Sequence, residues 1–265
     1  MALNMKYRIL LVCLSLAAFA AFVSAEEFGV KKKTPKSYEF GNVVMNNSSE
    51  KNGRAPVVFN HWLHRALYTC RVCHVDLGFG MQENSTGVTM DDNNKGLYCG
   101  ACHNGKEAFA PETKNIIGSV VKNCDRCHSS GKKVKFEKDF SEFTKNLPRA
   151  KFGNKVDWIQ AEENGLLHLK DHLAGITNTR KPIAAMTKDT ELKSRQVGMP
   201  DIIFSHQKHS IWNGCELCHP EIFGVKRGAT KYTMQDIFNG KFCGACHGKV
   251  AFPNTDCRLC HTKEV

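Results

Sequence analysis

No apolar run in the 265 residues reaches the roughly 20 positions that a helix needs to cross a bilayer. The longest, Ile9 to Val23, covers 15 positions. Acidic residues are in short supply, 26 against 37 Lys and Arg, which leaves a formal charge of +11. With 8 Pro, 21 Gly and 42% hydrophobic residues, the chain is neither collagen-like nor wholly disordered. Past residue 25 no cysteine stands outside one recurring pentapeptide, and residues 133–197 hold no cysteine at all. What the chain has in excess is 13 Cys and 12 His, so cysteine is where its chemistry should be sought.

Residues 1–25 read as a secretory signal peptide. Lys6 and Arg8 precede the apolar run, and Val23-Ser24-Ala25 gives the small residues of a peptidase site. Val12 before Cys13 argues against a lipid anchor. The alternative, a permanent N-terminal anchor, suffers from the shortness of the run. Cleavage leaves 240 of the 265 residues and 12 of the 13 cysteines, with no stable membrane span. It removes Lys6 and Arg8 and no acidic residue, taking the charge from +11 to +9.

Those 12 cysteines form six copies of Cys-x-x-Cys-His. The copies are Cys70, Cys73 with His74; Cys99, Cys102 with His103; Cys124, Cys127 with His128; Cys215, Cys218 with His219; Cys243, Cys246 with His247; and Cys257, Cys260 with His261. Two thiols three positions apart form thioethers with the two haem vinyl groups, and the next residue offers its imidazole to the iron. Disulfides and zinc ribbons would use the cysteines but leave the histidines unexplained. The cofactor expectation is therefore six covalently bound haem c, with His74, His103, His128, His219, His247 and His261 as proximal ligands.

The chain repeats itself at an offset of 145. Phe59-Asn60-His61-x-x-His64 falls on Phe204-Ser205-His206-x-x-His209, each nine positions from its first His to the next Cys. Met90 and Met234 each lie nine positions before a Cys-Gly-Ala-Cys-His. The first copy has an insertion, 22 positions from Cys102 to Cys124 against 11 from Cys246 to Cys257, which holds Ile116, Ile117, Val120 and Val121. This gives a polar, poorly ordered N-terminal segment over 26–54, a first module over 55–132, a linker over 133–197 and a second module over 198–265. Phe140, Phe143 and Leu147 recur at helical spacing, and Trp158 to Glu163 before Asn164-Gly165 predicts a short helix with a glycine stop. The linker is expected to strap apolar side chains over haem faces.

After six proximal histidines, His61, His64, His168, His172, His206 and His209 remain. On a helix His61 and His64 share a face and can reach two neighbouring irons, as can His206 and His209. Here the sequence resembles the class III multihaem cytochromes c, specifically the trihaem cytochrome c-seven type and its tandem-module relatives in metal-reducing bacteria. The resemblance covers roughly 55–130 and 198–262 and rests on Phe-x-His-x-x-His followed by three Cys-x-x-Cys-His.

It implies a mostly irregular fold with short α-helices and little strand, in which two trihaem modules have haems for a core. It also implies His61 opposite His74, His64 opposite His103, His206 opposite His219 and His209 opposite His247. Single-module relatives take the third distal ligand from a histidine just before the middle motif, and this chain has none there. Met90 opposite His128 and Met234 opposite His261 is the corresponding expectation, with two alternatives: both methionines fill core space, or His168 and His172 complete two bis-histidine sites.

With every axial position filled, the chain relays electrons and catalyses nothing. The expected setting is the periplasm, or the outer membrane and beyond, in anaerobic or extracellular metal respiration. The expected partners are an inner-membrane quinol-linked donor and other multihaem cytochromes, and no nucleic acid. Lys132, Lys133, Lys135 and Lys138 form a basic stretch that either docks an acidic redox partner or is a solvated face. Two rival functions are a multihaem reductase with an open haem, which usually carries a Cys-x-x-Cys-Lys absent here, and a subunit of a haem filament or outer-membrane conduit.

Overall fold

The computed structural model describes residues 34–132, 136–177, 188–195 and 197–263. The expected signal peptide, Lys133 and Lys135 lie outside them. The chain divides into two units, Met1–Pro35 and Lys36–Val265, and every element below belongs to the second.

Two small hairpins carry the duplication. Strand β1 (Asn42–Met45) pairs antiparallel with β2 (Val57–Asn60), Val43 opposite Phe59, and helix α1 (Asn47–Lys51) fills the connection. Helix α2 (His61–Arg65) follows β2 directly because the Asn60 side chain caps it, accepting from Leu63 N–H at 3.2 Å. In the second half β5 (Thr190–Leu192) pairs with β6 (Ile202–Phe204), Thr190 opposite Phe204. Ser205 then caps α7 (His206–Asn213), accepting from Lys208 N–H at 3.4 Å. Both hairpins straddle the expected module starts at 55 and 198. The expectation of poor order does not hold for residues 34–54, because β1 finds backbone partners in β2 and Tyr38 packs on the core.

Helices α3 (Met90–Asn94) and α8 (Met234–Phe238) each start with a capping box, Thr89 with Asp92 and Thr233 with Asp236. The insertion in the first module is a hairpin, β3 (Glu112–Lys114) against β4 (Val120–Lys122), whose turn leaves Ile116 fully and Ile117 largely in solvent. Helix α4 (Cys124–Cys127) carries the third motif.

The linker forms α5 (Phe136–Thr144) and α6 (Trp158–Glu163), as its spacing predicts. It builds the apolar core, and its Asp171 also accepts from Arg71 inside the first motif. Phe140, Val156, Trp158, Ala161 and Leu167 pack with Trp62 and Ala66 of the first module, and Trp212 of the second lies against them. The other buried apolar residues among those described are Val72, Ala101, Leu217, Ile237 and Leu173. The first three sit inside Cys-x-x-Cys-His motifs and Ile237 packs against one. The modules thus have almost no side-chain core of their own, as a fold whose cofactors form the core requires.

Candidate haem-binding sites

Each motif occupies a tight helical turn, which puts its two thiols on one side and the histidine just beyond. In five of the six, the histidine N–H donates to the carbonyl of the first cysteine, at 2.8 Å in His103 and His128 and 2.9–3.0 Å in His219, His247 and His261. The middle motif of each module is pressed against the methionine helix. A Cβ on Gly100 would lie 1.9 Å from the Asn93 carbonyl oxygen, and one on Gly244 would lie 1.9 Å from that of Ile237. Only glycine permits this approach, which ties Met90 and Met234 to the middle motifs in the same way.

The ten histidines expected to bind iron through both halves of the repeat share one feature, an anchored Nδ1. Among the proximal residues His74 Nδ1 lies 2.8 Å from the Phe79 oxygen, His103 3.0 Å from Phe109, His219 2.7 Å from Phe223 and His247 3.2 Å from Phe252. The third motif of each module reaches back to the strand entrance: His128 to the Ala55 oxygen at 3.0 Å and His261 to Pro200 at 2.6 Å, positions 145 apart. Among the distal residues His61 bonds Gly41 at 2.6 Å, His64 bonds Asn60 at 3.0 Å and His209 bonds Ser205 at 2.8 Å. His206 instead meets the Thr190 hydroxyl at 3.1 Å. A carbonyl only accepts, so nine of these rings carry their proton on Nδ1 and keep a lone pair on Nε2. That is the second contact a metal-binding imidazole requires.

Two pairs of these rings stand close together, with their planes tilted by 53° and 55°. The centroids of His64 and His103 are 6.4 Å apart, and those of His209 and His247 are 6.3 Å apart. Two metal–nitrogen bonds of about 2.0 Å each, plus about 1.1 Å from nitrogen to ring centre, give about 6.2 Å for one metal held between two imidazoles. Burial lowers the pKa of His61 to about 4, with His74 and His64 adding to the shift, and lowers His247 to about 4, with His209 adding. The rings are neutral at pH 7, the form that binds metal.

The twelve cysteines among the described residues form no disulfide, and burial raises Cys73 and Cys246 to about 12 and Cys99 and Cys243 to about 11. No three metal-binding side chains converge among the described residues, so the zinc-ribbon alternative lacks its donor cluster. The donor set fits haem c: paired thiols beside imidazoles with Nε2 available.

The remaining candidates separate. His168 and His172 are exposed, and neither ring has a hydrogen bond among the described residues. Met90 and Met234 are 44% and 38% exposed at the first position of their helices, so they do not fill core space. Helix α1 links Met90 to the third motif, since Ser48 Oγ donates to the Val88 oxygen at 3.2 Å and Ser49 Oγ is 3.2 Å from His128 Nδ1. Spacing alone did not reveal the carbonyl anchors of Gly41, Ala55 and Pro200. The 145-residue offset that maps Ala55 onto Pro200 was the one available signal.

Six such motifs on a mostly irregular, two-module scaffold define a multihaem c-type cytochrome, and they suit six haem c. The chain belongs to the family of cytochrome c7 and related cytochrome c, which it matches over residues 57–129 and 202–262, about half its length. It is similar to a c7-type three-haem cytochrome domain, 43% identical over 28% of this chain and 91% of that one, with a TM-score of 0.26. It is also similar to the C-terminal hexahaem fragment of GSU1996, 27% identical over 87% of this chain and all of that one, TM-score 0.27. Dodecahaem cytochrome c GSU1996 is 28% identical over 88% of this chain and 76% of that one, TM-score 0.28. No curated protein matches. Membership of this family implies electron transfer. Among the described residues no helix is long and apolar enough to cross a membrane.

Proposed function

We propose that the chain is an exported hexahaem electron relay in which every iron has two protein ligands. The observation that carries this is the set of anchored imidazoles. Nine Nδ1 protons are committed to carbonyls, and two opposed pairs stand 6.3 and 6.4 Å apart. A bound haem supplies a one-electron ferric/ferrous couple.

The chain's own residues do the rest. His64 and His103 would hold one iron, His209 and His247 another, and by the repeat His61 with His74 and His206 with His219 would hold two more. Met90 with His128 and Met234 with His261 complete the set. A carbonyl bonded to Nδ1–H makes the imidazole a stronger donor, and a thioether raises the potential relative to a second imidazole. Each module therefore combines two lower-potential sites with one higher. With two such residues on each iron, a bound haem would have no position left for a substrate and would supply electron transfer alone.

The signal peptide at 1–25 directs export to the periplasm or beyond, and the modules run over about 55–132 and 198–265, with their hairpins reaching back into the flanking segments. A quinol-linked donor and other multihaem cytochromes are the partners, in anaerobic or extracellular metal respiration. The test exposes the fully reduced holoprotein to carbon monoxide and then titrates it with a one-electron oxidant. The expected result is no carbon monoxide adduct and six electrons returned per chain. A carbon monoxide complex would overturn the relay and favour a reductase.

A further inference from the structure

Arg65 is one of the charged side chains at which the two modules meet. Arg65, the last residue of α2, is part-buried and donates through Nη1 to the Val250 oxygen at 2.9 Å, 185 positions away. Its guanidinium lies 4.8 Å from the Trp212 ring centre and 5.4 Å from that of Trp158. Trp212 Nε1–H in turn bonds Glu162. The second module, the linker and the first module are thus gathered around one cation. Arg65 stands five positions before Cys70, and Val250 four positions after Cys246.

The ligand side of the same junction is equally close. Gly41, whose carbonyl anchors His61, would place a Cβ 3.4 Å from the Lys249 oxygen, 3.6 Å from Val250 Cγ1 and 3.7 Å from His61 Cβ. The first motif's distal histidine therefore packs beside the segment that follows His247. Arg71, inside the first motif, lies 3.2 Å from a Cβ placed on Gly214, the residue before Cys215.

The thiols agree with this placement. Cys246 is raised mainly by burial and then by Cys70 and Cys218, while the Arg65 charge lowers it. Within the modules the corresponding neighbours are Cys73 with Cys102, Cys99 with Cys127, and Cys243 with Cys260.

Resting on the relay reading, we propose that electrons cross between the modules at the haems attached through Cys70 and Cys246, and that Arg65 is the positioning residue of this crossing and raises the potential of both. The step moves one electron: a ferrous iron on one side is oxidised, a ferric iron on the other is reduced, and no bond or proton changes place. A fixed cation disfavours the more positive ferric state, so its field raises both potentials together.

The test uses the full-length holoprotein with Arg65→Gln and Arg65→Lys, in a redox titration followed by NMR signals of individual haem methyl groups. R65Q is expected to lower the potentials of these two haems and leave the third and sixth unmoved, and R65K to restore most of the loss. Equal shifts at all six haems, or none at these two, would overturn the role of Arg65. In the wild-type protein, dipolar cross-peaks are expected between methyl groups of the first and fifth haems. Their absence, with cross-peaks present within each module, would overturn the crossing even if R65Q did not fold. Failure of the relay reading would be seen separately, as a high-spin or carbon monoxide-binding haem in the wild type.

Discussion

Gly100 and Gly244 give the most exacting test of how the polypeptide fixes its ligands. Replacing either with alanine puts a Cβ 1.9 Å from a backbone carbonyl oxygen, of Asn93 or Ile237, where contacts under 3.0 Å essentially do not occur. The methionine helix must withdraw from the middle motif by about 1 Å, and overpacking of this kind costs about 1–3 kcal/mol. For a unit of this size that corresponds to a fall in the unfolding midpoint of about 2–12 °C. Gly87→Ala is the control, because a Cβ there meets nothing within 4 Å, and it should stay within about 0.5 kcal/mol of wild type. The assay is thermal unfolding of the holoproteins, with magnetic circular dichroism to follow thioether ligation. G244A should lose both stability and the His/Met signal of its own module. A G244A protein that melted with G87A and kept that signal would refute the reasoning.

Other substitutions separate packing from ligation. Trp62→Ala empties the centre of the linker core, where Trp62 is 3% exposed and meets Phe140 edge-on at 5.0 Å, and should cost about 3–5 kcal/mol in denaturant unfolding. Asp171→Ala removes the bidentate acceptor of Arg71, whose Nε lies 2.5 Å from Asp171 Oδ1; with Asp171 42% exposed, the expected cost is about 1–2 kcal/mol by the same assay. Met90→Ala should leave four bis-histidine spectra intact and make one reduced haem bind carbon monoxide, and an inert M90A would remove Met90 from the ligand set.

The chemistry was written in the sequence more plainly than the packing. Cys-x-x-Cys-His states its own requirement, and the His61/His64 and His206/His209 pairs announce helices that the structure contains. The repeat, here at an offset of 144, also carried the methionine helices, because Thr89 and Thr233 start capping boxes that depend on local sequence alone. Contacts between distant segments were not legible. Nothing marks Gly41 as the partner of His61 or Ala55 as that of His128, since a carbonyl anchor requires only a backbone. The polar stretch before residue 55 looked unable to order itself because its order comes from pairing with β2, a tertiary effect. The linker's apolar residues were visible, but their packing against Trp62 and Trp212 depends on how the modules meet.

The central claim is that the chain itself supplies both axial ligands to every iron. Low-temperature electron paramagnetic resonance of the ferric holoprotein, with magnetic circular dichroism to distinguish His/His from His/Met, tests it directly. Four bis-histidine and two His/Met low-spin haems are expected. Six bis-histidine haems would contradict the methionine assignment and return His168 and His172 to the ligand set, and a high-spin haem would contradict the relay.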